Sequence, residues 1–390
     1  MALRACVIGL GILGEQYATR LDGRQDVEVV GVADVLADRA QAVGHQVGAA
    51  VYSDHRQMLR EQTPDLAVVA TPDTLHRDPV LAAIGAGVPA IIQEKPMATT
   101  VAEAEEMLDA SEKAGARIFV NYANRGSPLD RATHYVIQHG LLGEVVYGES
   151  HLDDHIVVPT RLWGDRSRNW VAGSSTAHFL LSHVVDLLRW FLAPAEVTEV
   201  YAISQRKVLG VTPDLYDAFL TFDSGTKFRV KAEWIKHMAE LVEFSIDISG
   251  AEGSLRYTKI AGFAETAGWR ANLSATVSAS EALDHQKTLG DDGVDVGALF
   301  HHLDPLAEKG ASAARASLEA TTVPQDGWRV VDSCVDAILE GTLMPSSWAH
   351  YGPLPTGIDG LMQTRVVAAI ERSAADGRVI EVAHTAALRQ

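Results

Sequence analysis

Three glycines and one aspartate near the start of the chain are spaced to hold a dinucleotide. Gly9-Leu10-Gly11-Ile12-Leu13-Gly14 follows an apolar strand pattern and opens a helical one, and Asp34 ends the second strand pattern twenty residues after Gly14. Gly9 allows the tight turn, Gly11 lets the backbone approach a pyrophosphate, and Gly14 lets helix and strand pack closely. The first helical turn, with Ile12 and Leu13, then offers its free N–H groups and the positive end of the helix dipole to the pyrophosphate. Asp34 is placed to accept from an adenosine ribose diol and to repel a 2′-phosphate, so NAD is expected over NADP. Arg39 lies close in sequence and softens that preference. The plain alternatives are a glycine-rich turn without a ligand and a solvated aspartate at a strand end.

Further along, Lys95 and His183 have the chemistry for proton transfer. An ammonium near a developing alkoxide stabilises it and can relay its proton, and Pro96 limits where Lys95 points by fixing φ. A neutral imidazole at His183 can take a hydroxyl proton at physiological pH. The alternatives are a surface lysine paired with Glu94 and a satisfied core histidine on an apolar helix. Arg161, Arg166 and Arg168 fall within eight residues, interleaved with Trp163 and Trp170, and only Asp165 opposes them. Guanidinium forks bind carboxylate, phosphate or sulfonate, and Trp faces stack on sugar rings, so an anionic sugar or glycoside is expected there. Arg125, His151, His155, Lys236 and His237 are weaker candidates for the same pocket. The alternative is a solvated loop or a subunit contact. Asp186 and Arg189, three apart, read as a structural helix pair. His301 and His302 are adjacent and point apart, so with Asp304 they make no convergent metal site, and none is expected.

The elements that must position these residues change character near Arg125. Up to there, apolar runs at Leu3–Ile8, Val27–Ala33, Leu66–Ala70, Ala90–Gln93 and Arg117–Asn121 alternate with helical patterns at Ala37–Gln46, Pro79–Ala86 and Val101–Ala114. The runs lack polar alternation, as strands covered on both faces do, and the order implies a doubly wound parallel sheet. After Arg125 the strand patterns lengthen and alternate, at Glu196–Ile203, Ala218–Phe222, Lys227–Trp234 and Leu241–Ile248. Asp223-Ser224-Gly225-Thr226 reads as a hairpin turn. Helices are expected at Leu129–His139, Thr176–Leu192, Trp328–Glu340 and Gly360–Asp376. The reading is an α/β domain over 1–124 that binds NAD, then an α+β domain over 125–390 with an open, mainly antiparallel sheet for substrate and oligomerisation. Residues 262–325 show weak periodicity and no motif.

The chain has 390 residues, 47% of them hydrophobic, and a formal charge of −18. Such acidity repels nucleic acid and anionic lipid, so neither partner is expected. Cys6 and Cys334 sit in apolar stretches and suggest neither disulfide nor zinc. No apolar run approaches the ~18 residues of a membrane span, and no cleavable signal pattern precedes the first strand. A soluble cytoplasmic protein is expected.

With GLGILG upstream, Glu94-Lys95-Pro96 resembles the EKP motif of the Gfo/Idh/MocA oxidoreductase family. Other segments agree in order. Thr71-Pro72-Asp73 with His76 resembles the family's TPxxxH loop, and Asn121-Tyr122-Ala123-Asn124-Arg125 with Pro128 its crossover segment. Gly143-Glu144-Val145 resembles its GEV turn, and His183 to Trp190 its HxxDLLRW helix. The C-terminal helix agrees around Ala368–Ser373. The resemblance implies that Thr71, Pro72, His76, Glu94 and Lys95 contact the cofactor. It implies that Lys95 and His183 act at the oxidised carbon of a carbohydrate, and that the second domain's sheet joins subunits into a homodimer or homotetramer. Many members carry an Asp four residues before this histidine, on the same helix face. Here that position is Phe179, and His178 lies about 100° further round an α-helix. The expected trio thus shrinks to Lys95 and His183, helped by Tyr122, with His178 and Phe179 lining the substrate pocket.

The first functional reading is therefore an NAD-dependent sugar or cyclitol dehydrogenase. The second is a redox-neutral glycosidase acting on an anionic glycoside such as a sulfoquinovoside. It would oxidise a ring hydroxyl, eliminate the aglycone, add water and return the hydride, with Tyr122 or His178 as a second acid/base group. A third, a non-catalytic nucleotide sensor, is disfavoured by the presence of both Lys95 and His183.

Overall fold

The computed structural model describes residues 2–162, 164, 166–260, 265–301, 316–324 and 327–384. They form two compact units, the first from Met1–Tyr122 with Val330–Arg365, the second from Ala123–Arg329 with Val366–Gln390.

In the first unit, β1 (Leu3–Ile8), β2 (Val27–Ala33), β3 (Ala50–Tyr52), β4 (Leu66–Val69), β5 (Ala90–Glu94) and β6 (Arg117–Asn121) form one sheet. The order is β3-β2-β1-β4-β5-β6 and every pairing is parallel. β4 and β5 are buried at every residue, which explains the unbroken Leu, Ala and Val of β4 and the Ala90-Ile91-Ile92 run that opens β5. Strand order reverses between β1 and β4, so a crevice opens at their carboxyl ends, where such sheets bind ligands. Helices intervene at Ile12–Asp22, Ala37–Val47, His55–Gln62, Arg77–Gly85 and Val101–Ala114. The last starts at Thr100, whose hydroxyl accepts from the Glu103 N–H, and ends at Gly115, φ +67°.

Two features differ from the sequence reading. The three-residue β3 is too short to leave a pattern. Residues 330–365, expected in the second domain, belong to the first unit. Arg24 holds Asp336 at 2.7 Å, the Val120 N–H donates to the Pro355 carbonyl at 3.1 Å, and Gly360 sits so close to Met97 that a Cβ there would lie 2.7 Å from the Met97 side chain. These ties link residues far apart in sequence and leave no local signal.

The second unit holds β7 (Val145–His155), β8 (Val197–Gln205), β9 (Leu215–Phe222), β10 (Lys227–Lys236), β11 (Val242–Gly250), β12 (Ser254–Ile260), β13 (Glu265–Asn272), β14 (Gly297–Phe300), β15 (Ala316–Pro324) and β16 (Ile380–Glu381). Their order is β14-β15-β13-β12-β11-β7-β10-β9-β8-β16. The β7–β10 pair is parallel and the other pairings are antiparallel. The Asp223–Thr226 turn joins β9 to β10, closed by the Phe222 N–H on the Thr226 carbonyl at 2.9 Å, with Gly225 at φ +90°. The weakly patterned stretch holds β13, β14, β15 and the Ala279–Asp291 helix. That helix opens with a capping box, Ser278 and Glu281, a local signal the sequence reading passed over. The expected Thr176–Leu192 helix is not uniform. Ala177–Leu181 form a π-helical turn, and Ser182–Phe191 continue as α-helix. No helix among the described residues is long and apolar enough to cross a membrane.

Candidate functional site

The glycine loop of the first unit is shaped by backbone contacts. Gly9 has φ +84°, and a Cβ there would lie 2.8 Å from the Thr71 nitrogen. A Cβ on Gly14 would meet the Gly9 carbonyl oxygen at 1.8 Å, so only glycine lets this helix start against the loop. Gly11 differs: a Cβ there would meet nothing within 4 Å. Its outer side is open, as close approach by a ligand requires. No side chain caps the Ile12–Asp22 helix, which leaves its first-turn N–H groups for an anion. Ile12 (61%), Val35 (88%) and Leu75 (57%) are exposed apolar residues in the segments after β1, β2 and β4. Asp34 is 8% exposed. Its Oδ2 accepts the Leu10 N–H and its Oδ1 the Leu36 N–H, both at 2.8 Å, and Arg39 Nη1 lies 3.4 Å from Oδ2. Asp34 therefore braces the glycine loop. The uncapped N–H groups, the open Gly11 and the carboxylate at the end of β2 together fit a dinucleotide.

The turn carrying Lys95 is held from two sides. Gln93, fully buried, donates from Nε2 to the Met97 carbonyl at 2.9 Å. His76, 1% exposed, has Nδ1 at 2.8 Å from the Pro96 carbonyl and Nε2 at 2.9 Å from the Thr71 carbonyl. Both ring nitrogens are thus turned to backbone, and His76 clips the Thr71-Pro72 loop to the Lys95-Pro96 turn. That corrects the expectation of a direct cofactor ligand at His76. Glu94 is buried too, with Oε1 accepting from the Tyr17 hydroxyl at 2.6 Å and from Asn121 Nδ2 at 3.0 Å. It holds β5 to β6 and the first helix. Burial, and then the Glu94 charge, push the Tyr17 hydroxyl well above its usual range, so it stays a donor. Lys95 is half-buried. Tyr122 is 1% exposed and gives its hydroxyl to Gln363 Oε1 at 3.0 Å, which makes it a core residue rather than the expected helper.

In the second unit His183 heads a chain of buried polar groups. Its Nδ1 lies 3.2 Å from Asn124 Nδ2, and Asn124 Oδ1 accepts from Lys259 Nζ at 3.1 Å. Lys259 pairs with Asp130, which also accepts from the Tyr257 hydroxyl. Lys259 is 1% exposed and Asp130 0%. Burial pushes the Lys259 ammonium down and the Asp130 carboxyl up, and each partner opposes the other's shift. The Phe244 ring adds a cation–π contact, 4.8 Å from Lys259 Nζ.

His178 lies 6% exposed in the π-helical turn. Its Nε2 is 3.3 Å from Glu371 Oε2, while Glu371 Oε1 accepts from the Ser175 hydroxyl at 2.5 Å. Burial raises the Glu371 carboxyl, but His178 and Ser175 outweigh it and hold the group below its usual range. Phe179 turns away into an aromatic cluster, its ring centroid 4.6 Å from that of Trp170 and 5.9 Å from that of Trp234.

The basic candidates fare differently. Arg125 makes a buried bidentate pair with Asp186, at 2.9 and 2.6 Å, so it is structural and not a substrate ligand. Arg189 holds Glu196 at 2.6 Å, while Asp186 is the carboxylate that Arg125 grips. Lys236 pairs with Asp153 and Glu243, and His155 accepts the Val157 N–H. His151, Asp153 and Glu243 converge closely enough for a metal, but Lys231 and Lys236 already neutralise the carboxylates. Arg161 is exposed. Trp163, Asp165, His302, Asp304 and the side chains of Arg166 and Arg168 lie outside the described residues.

Comparison with known proteins agrees with this architecture. The family model described as "Oxidoreductase family, NAD-binding Rossmann fold" matches residues 3–122, and the "GFO/IDH/MocA C-terminal domain" model matches residues 131–256. The chain belongs to the Gfo/Idh/MocA oxidoreductase family. Its first unit carries that family's NAD-binding domain.

Among Gfo/Idh/MocA relatives, the chain is 32% identical over 223 residues to inositol 2-dehydrogenase of Acidothermus cellulolyticus, covering 56% of this chain and 62% of that one. It is 28% identical over 208 residues to D-glucoside 3-dehydrogenase of Escherichia coli, covering 53% and 58%. The matches thus span about six tenths of these relatives' length. In fold it resembles the Bordetella pertussis WlbA dehydrogenase, solved with NADH and UDP-GlcNAcA, at TM-score 0.73 and 21% identity over 99% of this chain and 100% of that one. The aldose-aldose oxidoreductase of Caulobacter crescentus gives 0.73 at 19% identity over 98% and 100%. Set beside the family pattern noted from the sequence, Phe179 at the usual Asp position is a packing residue here. Sequence reasoning missed Lys259, Asp130 and Glu371, because their partners lie far away along the chain.

Proposed function

We propose that the chain is an NAD-dependent oxidoreductase that removes hydride from a secondary alcohol of a sugar or polyol. The observation that supports this most is the glycine loop: an uncapped helix N-terminus, an open Gly11 and a braced Asp34. Bound there, NAD supplies the hydride acceptor. The protein's own residues handle the oxygen. Lys95, on a turn held by Gln93 and His76, stabilises the developing alkoxide. His183, backed by Asn124, manages the hydroxyl proton. Arg161, Arg166 and Arg168, close together in sequence, favour an anionic sugar. The test is NAD reduction, followed by absorbance, with a panel of inositols, glucosides, apiose and their uronate and sulfonate counterparts. Reduction by a member of the panel supports the reading, and silence with all of them overturns it.

One observation favours a second reading, the redox-neutral glycosidase. That route needs an additional acid/base group, and the His178–Glu371 pair supplies one. Nitrophenyl glycosides with limiting NAD separate the two. Many aglycones released per NAD reduced mark the glycosidase, whereas none leaves the dehydrogenase.

A further inference from the structure

We infer that His76 is a positioning residue that works as a proton-operated clip. Its imidazolium ties the Thr71-Pro72 loop to the Lys95-Pro96 turn, and loss of one proton frees the Thr71 carbonyl and loosens the wall of the glycine loop. The inference goes beyond the reaction proposed above, because it concerns the NAD-binding unit alone and holds whichever alcohol is oxidised.

The chemistry of two contacts carries it. His76 Nδ1 lies 2.8 Å from the Pro96 carbonyl oxygen, and Nε2 lies 2.9 Å from that of Thr71. A carbonyl oxygen only accepts, and a neutral imidazole has a single N–H. Both bonds are therefore made only when both nitrogens carry hydrogen and the ring is charged. Among the described residues the ring has these two partners, and no carboxylate pairs with it. The charged groups on the surrounding elements are turned elsewhere. On the helix that follows, Arg77 holds Glu106 at 2.6 Å and Asp78 holds Arg56. On the Val101–Ala114 helix, Glu103 accepts from the Thr100 hydroxyl at 3.0 Å, and on β5 Glu94 accepts from Tyr17 and Asn121. Asp73 on its own turn is buried, Lys95 on the facing turn is half-buried, and neither bonds to the ring.

Two forces oppose the charge. The ring is 1% exposed, and the Arg77–Gly85 helix that starts at His76 has its positive end there. The two bonds hold the charge against them, so the proton and the second bond come and go together. Which bond is given up follows from what fixes each side. Pro96 is buried, in a turn that Gln93 also holds through the Met97 carbonyl at 2.9 Å. Thr71 is partly exposed and Pro72 exposed, and their loop is a single 3₁₀ turn closed by the Leu75 N–H on the Pro72 carbonyl at 2.7 Å. The neutral ring therefore keeps its Nδ1–H on Pro96. Its Nε2 lone pair then faces the Thr71 carbonyl and repels it.

Thr71 matters because of what it touches. Its backbone nitrogen stands so close to Gly9 that a Cβ on Gly9 would lie 2.8 Å from it, and 2.9 Å from the Ala70 carbonyl oxygen. Thr71 is thus the wall against which the tight turn of the glycine loop is set. A clipped Thr71 keeps the loop in the shape that receives a pyrophosphate. A released one adds freedom that must be lost again when the cofactor binds. By linkage, NADH binds more tightly to the protonated clip, and its binding takes up a proton.

Three measurements on the full-length protein test this, and none needs a substrate alcohol. With histidine labelled in both ring nitrogens, proton–nitrogen correlation spectra report which nitrogen carries hydrogen, and His76→Gln identifies the signals by their loss. The expected result is hydrogen on both nitrogens at pH 6 and on Nδ1 alone at pH 9. A single N–H at pH 6 removes the clip, and two at pH 9 make the ring a fixed cation; either overturns the proposal. Fluorescence titration with NADH should show affinity about five- to tenfold higher at pH 6 than at pH 9, the worth of one hydrogen bond. His76→Gln offers one amide donor group and no titrating proton, so it should bind NADH more weakly and equally at both pH values. The same pH dependence in His76→Gln overturns the proposal, because a merely structural histidine would leave that dependence in place. The third measurement uses wild-type protein only. Calorimetry of NADH binding at pH 7.5, in buffers that differ in ionisation enthalpy, should show net proton uptake, and no uptake overturns the linkage even if His76→Gln fails to fold. Silence of every alcohol in the panel above would sink the functional reading and leave these three results standing.

Discussion

The cofactor end of the first unit and the histidine wall of the second are built from different materials. The first is backbone: three glycines, an uncapped helix start and carbonyls that hold a buried histidine. The second is a set of buried ionisable side chains tied across the fold, Lys259 to Asp130, Arg125 to Asp186 and His178 to Glu371. A backbone site tolerates charge changes but not added atoms. A site made of paired charges tolerates neither the loss of one partner nor a large change in pH. The difference makes the two regions respond to different perturbations.

The largest effect is expected in the second. Lys259→Met leaves Asp130 fully buried without its cation and releases Asn124, so stability should fall by about 3–5 kcal/mol. Urea unfolding of the variant measures this. Replacing Asp130 by Asn as well should restore part of the loss, because the uncompensated charge then disappears. A single variant as stable as the wild type would show that this wall does not depend on its charges. In the first unit the matching perturbation adds one carbon. Gly14→Ala drives a Cβ into the Gly9 carbonyl at 1.8 Å, so the helix start must move off the loop. NADH affinity, read by fluorescence titration, should fall at least about a hundredfold, roughly 3 kcal/mol. Gly11→Ala, which meets nothing in the protein, tests the same loop from the ligand side. It should leave stability intact and weaken NADH alone.

How far each region could be read from the sequence follows from the same contrast. The glycine loop, β1 and β2 obey rules that act within a few residues, and the Leu3–Ile8 and Val27–Ala33 strands lie where the apolar runs place them. The hairpin at Asp223–Thr226 is equally local. The ties of the second region span 61 residues for Arg125 and Asp186 and 129 for Lys259 and Asp130, and no local pattern marks them. Arg125 therefore read as a substrate ligand and Tyr122 as a helper, although both are buried in packing. The π turn is invisible for another reason. Its residues, Ala177–Leu181, are apolar enough to continue an α-helix, and only the packing of Phe179 against Trp170 and Trp234 shows that the period has slipped.

The pH sensitivity of the second region is expected to centre on His134. Burial pushes its pKa down to about 3, with smaller contributions from Arg125 and His139, although the Trp190 carbonyl at Nδ1 opposes them. The ring is stacked on Trp190 with centroids 4.1 Å apart. A histidine with a depressed native pKa stays neutral when folded and takes up a proton when unfolded below about 6.5. Stability should therefore fall as pH drops from about 6.5 toward 3, by roughly 2 kcal/mol at pH 5 for this group alone. Urea unfolding at pH 7.5 and pH 5 checks it, and His134→Gln should flatten the difference. An unchanged slope in that variant would move the pH sensitivity to another group.

The smallest effect sharpens the comparison most, because Asp34 is the charged side chain that braces the glycine loop itself. It does two things at once. Its two oxygens accept the Leu10 and Leu36 N–H groups and so shape the loop, and its charge holds Arg39 at 3.4 Å. Asp34→Asn keeps the shape but gives up one acceptor, since the amide NH2 must face one of the two backbone N–H groups. It also frees the Arg39 guanidinium, whose fork suits a phosphate. NAD affinity should drop about tenfold, near 1.4 kcal/mol, and NADP affinity should rise, so that the ratio of the two changes more than either alone. Titration with both reduced cofactors measures the ratio. If NAD weakens and the ratio stays put, Asp34 is only a brace, and the glycine loop holds the cofactor through backbone alone. If the ratio moves, the region reads the ribose through a single charge, and the contrast with the second wall is one of degree, one carboxylate against several.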